Sequence, residues 1–322
     1  MSEQNSEPTL KPTLKRTTEQ PAARTKGQPA PGSSKRLPVI TVTYSPGKHL
    51  RELLDSLPRA TERECVVLLA DNGSTDSAPQ QAAAENDHVE FAATGGNLGY
   101  GAGMNFGVQA AHKIWGSDEL ADDFVLLTNP DVVFHDGAID ALLECAGRYP
   151  NAAAIGPRII ETDGTTYPSA RALPSLVDGI GHAIFADIWP SNPFSARYRQ
   201  GQDMETEREA GWLSGSCLLV RKQAFARVGG FDERYFMYFE DTDLGDRFTR
   251  AGYSNIYCPS AQISHAQGHS TEAESVSAIM LRVHHESAAR YLCDRLPHWY
   301  QAPVRWGLRA GLAVRAKIMT RG

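Results

Sequence analysis

No run of about 18 apolar residues, the length a helix needs to cross a bilayer, occurs in the 322-residue chain. The first residues also lack an apolar core followed by a cleavage site, which sets aside a secretory leader. Cysteine is scarce: Cys65, Cys145, Cys217, Cys258 and Cys293 stand singly, with no Cys-x-x-Cys pair. That excludes a disulfide framework and a thiolate zinc site, and reads as small core residues in a reducing compartment. A cytoplasmic protein, or one peripheral at the inner face of the cell membrane, is expected.

Positive charge is missing where a nucleic-acid binder would need it. Residues 1–36 carry seven Lys/Arg against three Glu, and residues 290–322 seven against one Asp, so of the net −6 the stretch 37–289 holds −16. Such an acidic body has no basic footprint for nucleic acid. The two basic ends suit an anionic membrane surface.

Large apolar side chains are nearly absent from residues 1–36, which are rich in Pro, Thr, Ser, Gln and Lys. A segment of that composition cannot bury enough surface to offset its ordering entropy, so a disordered tail is expected there. The remainder is long enough for one large α/β domain, taken as 37–293, followed by a basic segment, 294–322.

Along that domain, strands alternate with helices. Strands are predicted over 38–44, 65–70, 89–92, 124–128, 212–220 and 254–257, from β-branched alternation or short continuous apolar runs, with the regularity weakening after 152–155. Helices are predicted over 49–57, 79–85, from the glycine-rich loop to 114, and over 138–148, 223–228, 243–251 and 272–293. Residues 162–210 read only as loop with small hairpins. The alternation implies a mixed, mainly parallel sheet with helices on both faces. In such sheets ligands bind at the carboxyl ends of the strands.

The motifs gather at those ends. Asp71 closes the second strand before Asn72-Gly73, where its carboxylate can accept the N3–H of a uracil or thymine base or close an Asx turn. Thr43 and Tyr44 end the first strand beside it. Asn97, Gly99 and Asn105 belong to a loop whose glycines permit close backbone approach to a ligand. Gly99-Tyr100-Gly101-Ala102-Gly103 is not a dinucleotide fingerprint, since it lacks the third glycine and does not follow the first strand. Asn129-Pro130-Asp131 follows a buried strand and otherwise reads as a turn. Phe231 to Phe239 is an aromatic run ending at Glu240, Asp241 and Asp243, where a helix should begin. Carboxylates in a first helical turn are favoured by free N–H groups and the helix dipole, so they serve as caps. Flanking aromatics that exclude water also suit a general base beside a sugar pocket.

In this order and spacing, the blocks at Leu68–Asp76, Gly95–Asn105, Val125–Asp131, Gly229–Arg247 and Ser264-His265 resemble the family 2 inverting glycosyltransferases of GT-A fold. The likeness runs from about Val39 to His269. It implies a nucleotide-sugar donor, with Asp241 as the base and Glu240 beside it to orient the acceptor. It implies nucleoside contacts from Thr43, Tyr44 and Asp71, with Asn97, Gly99, Asn105 and Asn129 near the donor. Asp-x-Asp is usual where this chain has Asn129-Pro130-Asp131. Asp131 is therefore the principal ligand for a divalent cation, Mg²⁺ or Mn²⁺, with His265 completing the site and His269 as its rival if the register differs. Tyr238, Trp212 and Asp243 are candidates for the acceptor.

Val42–Gly47, Tyr167–Arg171, Gly211–Arg221 and Phe231–Tyr238 further resemble the branch that moves L-rhamnose from dTDP-rhamnose to polyprenyl-diphosphate-linked N-acetylglucosamine in the arabinogalactan linker. A lipid-linked acceptor and a membrane surface are then the expected partners, and self-association is left open. Pro303 to Arg321 fits this, with Val304, Leu308, Leu312 and Ile318 on one side of a basic amphipathic helix that can lie on a leaflet or dock on the protein itself. Two other classes compete. A sugar-phosphate nucleotidylyltransferase needs a glycine- and lysine-rich loop after the first strand, which Tyr44-Ser45-Pro46-Gly47 is not. A non-catalytic sugar-binding module would not need Asp71, Asp131 and Asp241 together.

Overall fold

A computed structural model describes residues 35–120, 123–174, 203–265 and 274–319. The tail 1–34 and His269 lie outside them. The strands are β1 (Leu37–Thr43), β2 (Cys65–Asp71), β3 (Val89–Ala93), β4 (Phe124–Thr128), β5 (Val132–Phe134), β6 (Ala152–Ile160), β7 (Thr166–Tyr167), β8 (Ala170–Arg171), β9 (Arg208–Ala210), β10 (Trp212–Leu213), β11 (Cys217–Arg221) and β12 (Ser254–His265). The helices are α1 (His49–Ala60), α2 (Ala78–Glu85), α3 (Tyr100–Glu119), α4 (Ala138–Arg148), α5 (Lys222–Val228), α6 (Glu240–Arg250), α7 (Glu274–Asp294) and α8 (Ala302–Met319).

The main sheet has the order β3-β2-β1-β4-β11-β6-β12-β5, with β7 paired to β6 and β9 to β12. β1, β2, β3 and β4 run parallel, β11 runs against β4 and β6, and β12 returns parallel to β6. It is the mixed, mainly parallel sheet expected. The apolar runs are continuous because both faces are covered. Successive residues point to opposite sides: in β4, Phe124 and Leu126 enter the layer under α1 and α4, while Val125 and Leu127 enter the layer under α3, α5 and α6.

Several boundaries differ from the sequence reading. The strand expected over 212–220 is broken: β10 pairs with β8 outside the main sheet, β11 joins β4, and Ser214-Gly215-Ser216 forms the corner between them. α6 starts at Glu240 rather than 243, and β12 continues through His265, so that histidine ends a strand instead of following one. β5 was not foreseen, because three residues give no periodicity to read.

Cys145 on α4 and Cys258 on β12 are fully buried, and their sulfurs converge with a Glu207 carboxylate oxygen within 4.8 Å. Arg148 already neutralises Glu207 through its Nε and Nη2 groups.

α7 and α8 form an antiparallel pair closed by a short 3₁₀ turn, Trp299–Gln301. Leu308 and Leu312 pack with Tyr235, Phe239, Tyr291 and Leu292. Of the two placements read from sequence, a leaflet or the protein itself, these two leucines take the second. Among the described residues no helix is long and apolar enough to cross a membrane.

Candidate active site

β1, β2 and β4 end side by side at Thr43, Asp71 and Thr128. Asp71 is buried, and its carboxylate is already well supplied with donors. Oδ1 accepts the Thr43 hydroxyl at 2.8 Å and the Ser74 hydroxyl at 2.5 Å; Oδ2 accepts the amides of Ser74 and Gly73 at 3.0 and 3.2 Å. The Asx turn read as an alternative is therefore the arrangement present. Thr43 is fully buried, so its side chain orients Asp71 and its hydroxyl faces no ligand. Tyr44, by contrast, leaves the sheet edge 56% exposed.

Two residues of the glycine-rich loop serve the fold instead of a ligand. Gly99 has φ +83°, and a Cβ there would meet the Phe236 carbonyl oxygen at 2.1 Å. Its missing side chain thus admits the Phe231–Phe239 segment, and the Tyr100 amide donates to that same carbonyl at 3.0 Å. Asn105 is buried, with its amide accepting the Phe231 N–H at 2.9 Å and donating to Phe231 O and Glu233 Oε1. It clamps α3 to that segment and is not free to touch a donor. Asn97 stays exposed, its Oδ1 accepting the Gly99 amide at 3.0 Å and the Asn72 side chain at 3.3 Å.

A second group forms where β4 gives way to β5. Because β12 runs against β5 with His265 opposite Val132, the imidazole comes beside Asp131. His265 Nε2 lies 3.0 Å from Asp131 Oδ1 and 3.3 Å from Asn129 Nδ2. One carboxylate oxygen and one imidazole nitrogen form a hard-to-borderline donor pair that fits a divalent cation completed by other ligands. The Asn129 amide N–H donates to Ser216 O at 2.8 Å, tying this group to the corner before β11.

The carboxylate turn completes the edge. Tyr238 and Phe239 have φ of +65° and +66°, a left-handed conformation that side chains with a Cβ disfavour. Neighbours hold it: the Ser287 hydroxyl donates to Met237 O at 2.8 Å, and the Phe239 ring packs on His284 and Tyr291. The chain thereby reverses straight into the first turn of α6, carrying Glu240 and Asp241.

These two acids differ in their support. Asp241 Oδ2 accepts the Gly215 amide at 3.0 Å and Oδ1 the Thr242 amide at 2.7 Å. Glu240 is buried, and its Oε2 has no partner among the described residues. Burial, and then the charge of Asp241, push the Glu240 carboxyl up to about 8. Burial raises Asp241 too, but the two amides, the Thr242 hydroxyl and the nearby Arg171 guanidinium oppose the rise. Negative charge therefore rests on Asp241, with Glu240 protonated at neutral pH.

Tyr100 links the groups. Its hydroxyl donates to Gly215 O, and burial followed by the charges of Glu240, Asp241 and, more weakly, Asp131 lifts its phenol well above the usual range. One phenol thus senses both the carboxylate turn and the Asp131–His265 pair.

Asp243 does not join them. It is buried, and its Oδ2 accepts Arg247 Nε at 2.6 Å; Arg247 in turn donates to Val228 O and Gly230 O. It therefore braces the fold and faces no acceptor. Trp212 is partly buried and donates from Nε1 to Ala172 O, with Arg171 over its ring at 5.5 Å. Tyr238 is partly buried against His284.

Tyr100, Gly215 and Arg171 carry the site's connections and were not singled out from sequence. Tyr100 sat inside a motif read for its glycines. Gly215 lies in a Ser-Gly-Ser corner that was itself the signal for breaking the strand. Gly215 is held close, with a Cβ there coming within 3.3 Å of the Tyr100 ring.

A mixed, mainly parallel sheet with helices on both faces is the GT-A fold of glycosyltransferases. Residues 39–229 match the family model described as glycosyl transferase family 2. The N-acetylglucosaminyl-diphospho-decaprenol L-rhamnosyltransferase of Mycobacterium tuberculosis (strain ATCC 25618 / H37Rv) is 50% identical over 287 residues, 88% of this chain and 93% of that protein. Rhamnosyltransferase WbbL of Escherichia coli (strain K12) is 27% identical over 260 residues, 80% of this chain and 92% of that one. The fold is shared with GalNAc-T7, solved with UDP, GalNAc and Mn²⁺, at TM-score 0.52 and 14% identity, over 77% of this chain and 48% of that one. It is shared too with the mannosyltransferase PcManGT from Pyrobaculum calidifontis, solved with GDP-Man and Mn²⁺, at TM-score 0.51 and 15% identity, over 82% of this chain and 66% of that one. The chain belongs to glycosyl transferase family 2.

Proposed function

We propose that this glycosyltransferase moves L-rhamnose from dTDP-L-rhamnose to polyprenyl-diphosphate-linked N-acetylglucosamine, with inversion, in synthesis of the arabinogalactan linker. The observation that carries the substrate assignment is the 50% identity, across 93% of its length, to a relative named for rhamnosyl transfer to N-acetylglucosaminyl-diphospho-decaprenol. The lipid on that acceptor puts the enzyme at a membrane, at the cytoplasmic face where nucleotide sugars are made.

In this reading Asp241 is the general base. Its carboxylate is ionised while Glu240 is not, and the Gly215 amide fixes the direction in which it accepts the acceptor hydroxyl's proton. As that proton leaves, the hydroxyl oxygen attacks the anomeric carbon and the bond to the nucleoside diphosphate breaks, in a single displacement. Glu240, protonated, donates a hydrogen bond that orients the acceptor. Asp71 reads the base N3–H after the Ser74 hydroxyl turns aside, and Tyr44, exposed at the same edge, stacks on the nucleoside. Asn97 and Asn129 contact the donor, and Trp212 and Tyr238 flank the acceptor. Asp131 and His265 would hold a divalent cation, Mg²⁺ or Mn²⁺, whose charge offsets that of the departing diphosphate. The two structural neighbours solved with Mn²⁺ support that choice of ion.

The test is a donor panel, with dTDP-rhamnose, UDP-glucose, UDP-galactose and GDP-mannose offered against a short-chain polyprenyl-diphosphate-N-acetylglucosamine. Rhamnose should transfer at least about tenfold faster than any other sugar, a margin of about 1.4 kcal/mol in transition-state binding. Faster transfer of another sugar would overturn the donor assignment while leaving the enzyme class intact.

A further inference from the structure

The α7–α8 pair has a second apolar face, unrelated to the catalytic edge. Helical spacing turns Leu308, Leu312 and Ala316 toward the protein. The outward face of α8 is then expected to be polar, as on most surface helices. It is not: Pro303, Trp306, Gly307, Gly311, Ala313 and Val314 are all exposed. Trp306 is 76% exposed, and Trp299, just before the helix, is 85% exposed. Tyr300 is also exposed and stacks on His298. Arg305 steadies this end by donating to Leu296 O and His298 O at 2.5 and 3.0 Å, so the aromatics are presented by a braced turn.

The charge around this face has one sign. No Asp or Glu occurs after Asp294, whereas Arg295, Arg305, Arg309, Arg315, Lys317 and Arg321 all do, against a body that is strongly acidic. An exposed apolar patch with Trp and Tyr at one end, on a helix whose exposed charged residues, Arg309 and Lys317, are both cations, is the chemistry of a lipid headgroup boundary. A second copy of the chain would bring the like-charged Arg309 and Lys317 to it.

We propose that this face, Trp299–Tyr300 and the outward side of α8, lies on an anionic lipid bilayer. It differs from the stripe legible in the sequence, because Leu308 and Leu312 are already committed to the protein. The proposal rests on the reading above that the acceptor is lipid-linked, and it names the surface through which the enzyme reaches it. Each cation near the leaflet contributes about fivefold to partitioning, and the indoles enter the interfacial zone.

The binding arms of the test use the full chain and vesicles without donor or acceptor, so they stand apart from the sugar assignment. Wild type should cosediment with phosphatidylcholine vesicles containing 30% phosphatidylglycerol and weakly with phosphatidylcholine alone, with a blue shift of tryptophan emission. Trp299→Ser/Trp306→Ser should lower vesicle partitioning at least about tenfold, a loss of about 1.4 kcal/mol, with an unchanged melting temperature because both side chains are exposed. Arg309→Glu should lower binding to the anionic vesicles only. The double variant should keep transfer to a soluble short-chain acceptor and lose it for a long-chain acceptor in vesicles. Equal vesicle binding by wild type and double variant overturns the proposal. So does a lipid-free dimer, seen by sedimentation velocity, that Trp306→Ser dissolves, since the occupant is then a second copy.

Discussion

The Gly215 amide donates to Asp241 at 3.0 Å while the Gly215 carbonyl accepts the Tyr100 hydroxyl, so one glycine residue links the phenol to the carboxylate. Tyr100→Phe removes one end of that chain without emptying volume. Turnover should fall about tenfold with KM for the nucleotide sugar unchanged, as for loss of one hydrogen bond of about 1–1.5 kcal/mol. Steady-state kinetics with each substrate varied separates this from a binding defect, and equal losses in kcat and donor affinity would count against it.

Asp241→Asn should reduce turnover by about 10²- to 10⁴-fold, the usual range for a general base, with nucleotide affinity nearly unchanged. Glu240→Gln should retain far more activity, because the neutral amide still donates a hydrogen bond as the protonated acid does. If Glu240→Gln is dead and Asp241→Asn active, the roles are reversed.

The Glu240 carboxyl also leaves a pH signature in stability. Its folded value, about 8, is raised from an ordinary 4.5, so the fold favours the protonated form. The resulting stabilisation is complete below about pH 4.5 and is lost as pH rises toward 8. Thermal melts of wild type and Glu240→Gln should therefore diverge between pH 5 and 8, with the variant gaining at least about 3 °C relative to wild type. Parallel curves across that window would show that Glu240 titrates normally.

Chelation should stop transfer, and Mg²⁺ or Mn²⁺ should restore it. Asp131→Ala and His265→Ala should each raise the metal concentration needed for half-maximal rate by about 10-fold or more, as loss of one ligand does. Isothermal titration of Mn²⁺ into the enzyme with the nucleoside diphosphate provides a reading independent of turnover. Full activity in excess EDTA would remove the ion from the mechanism.

Asn105→Ala should lower stability by about 2–4 kcal/mol, since it strands the buried Phe231 backbone groups. Donor KM should stay near the wild-type value in the folded fraction. A large KM effect with unchanged melting would return Asn105 to the donor site.

The layered sheet was legible because strands covered on both faces must be apolar throughout, as Val66–Ala70 and Phe124–Leu127 are. The positions of Asp71, Asp131 and Asp241 at element ends followed from the same boundaries. What could not be read was direction. Asn105 and Asp243 are polar residues within reach of the motifs, and nothing in one dimension says that they face Phe231 and Arg247. Gly99 looked like room for a ligand, and it is room for the Phe236 carbonyl. The Ser214–Ser216 corner was absorbed into a strand because its flanks are apolar, although it carries the amide that holds Asp241.

The left-handed turn at Tyr238 and Phe239 is closed from two sides by distant parts of the chain, the Tyr100 amide and the Ser287 hydroxyl. In biosynthesis the Tyr100 amide emerges before the turn and the Ser287 hydroxyl after it. A nascent chain that has already formed β1 to β12 would hold its donor-side residues in order yet have no partner for Met237 O. The turn that carries Glu240 and Asp241 would then be fixed only when α7 docks.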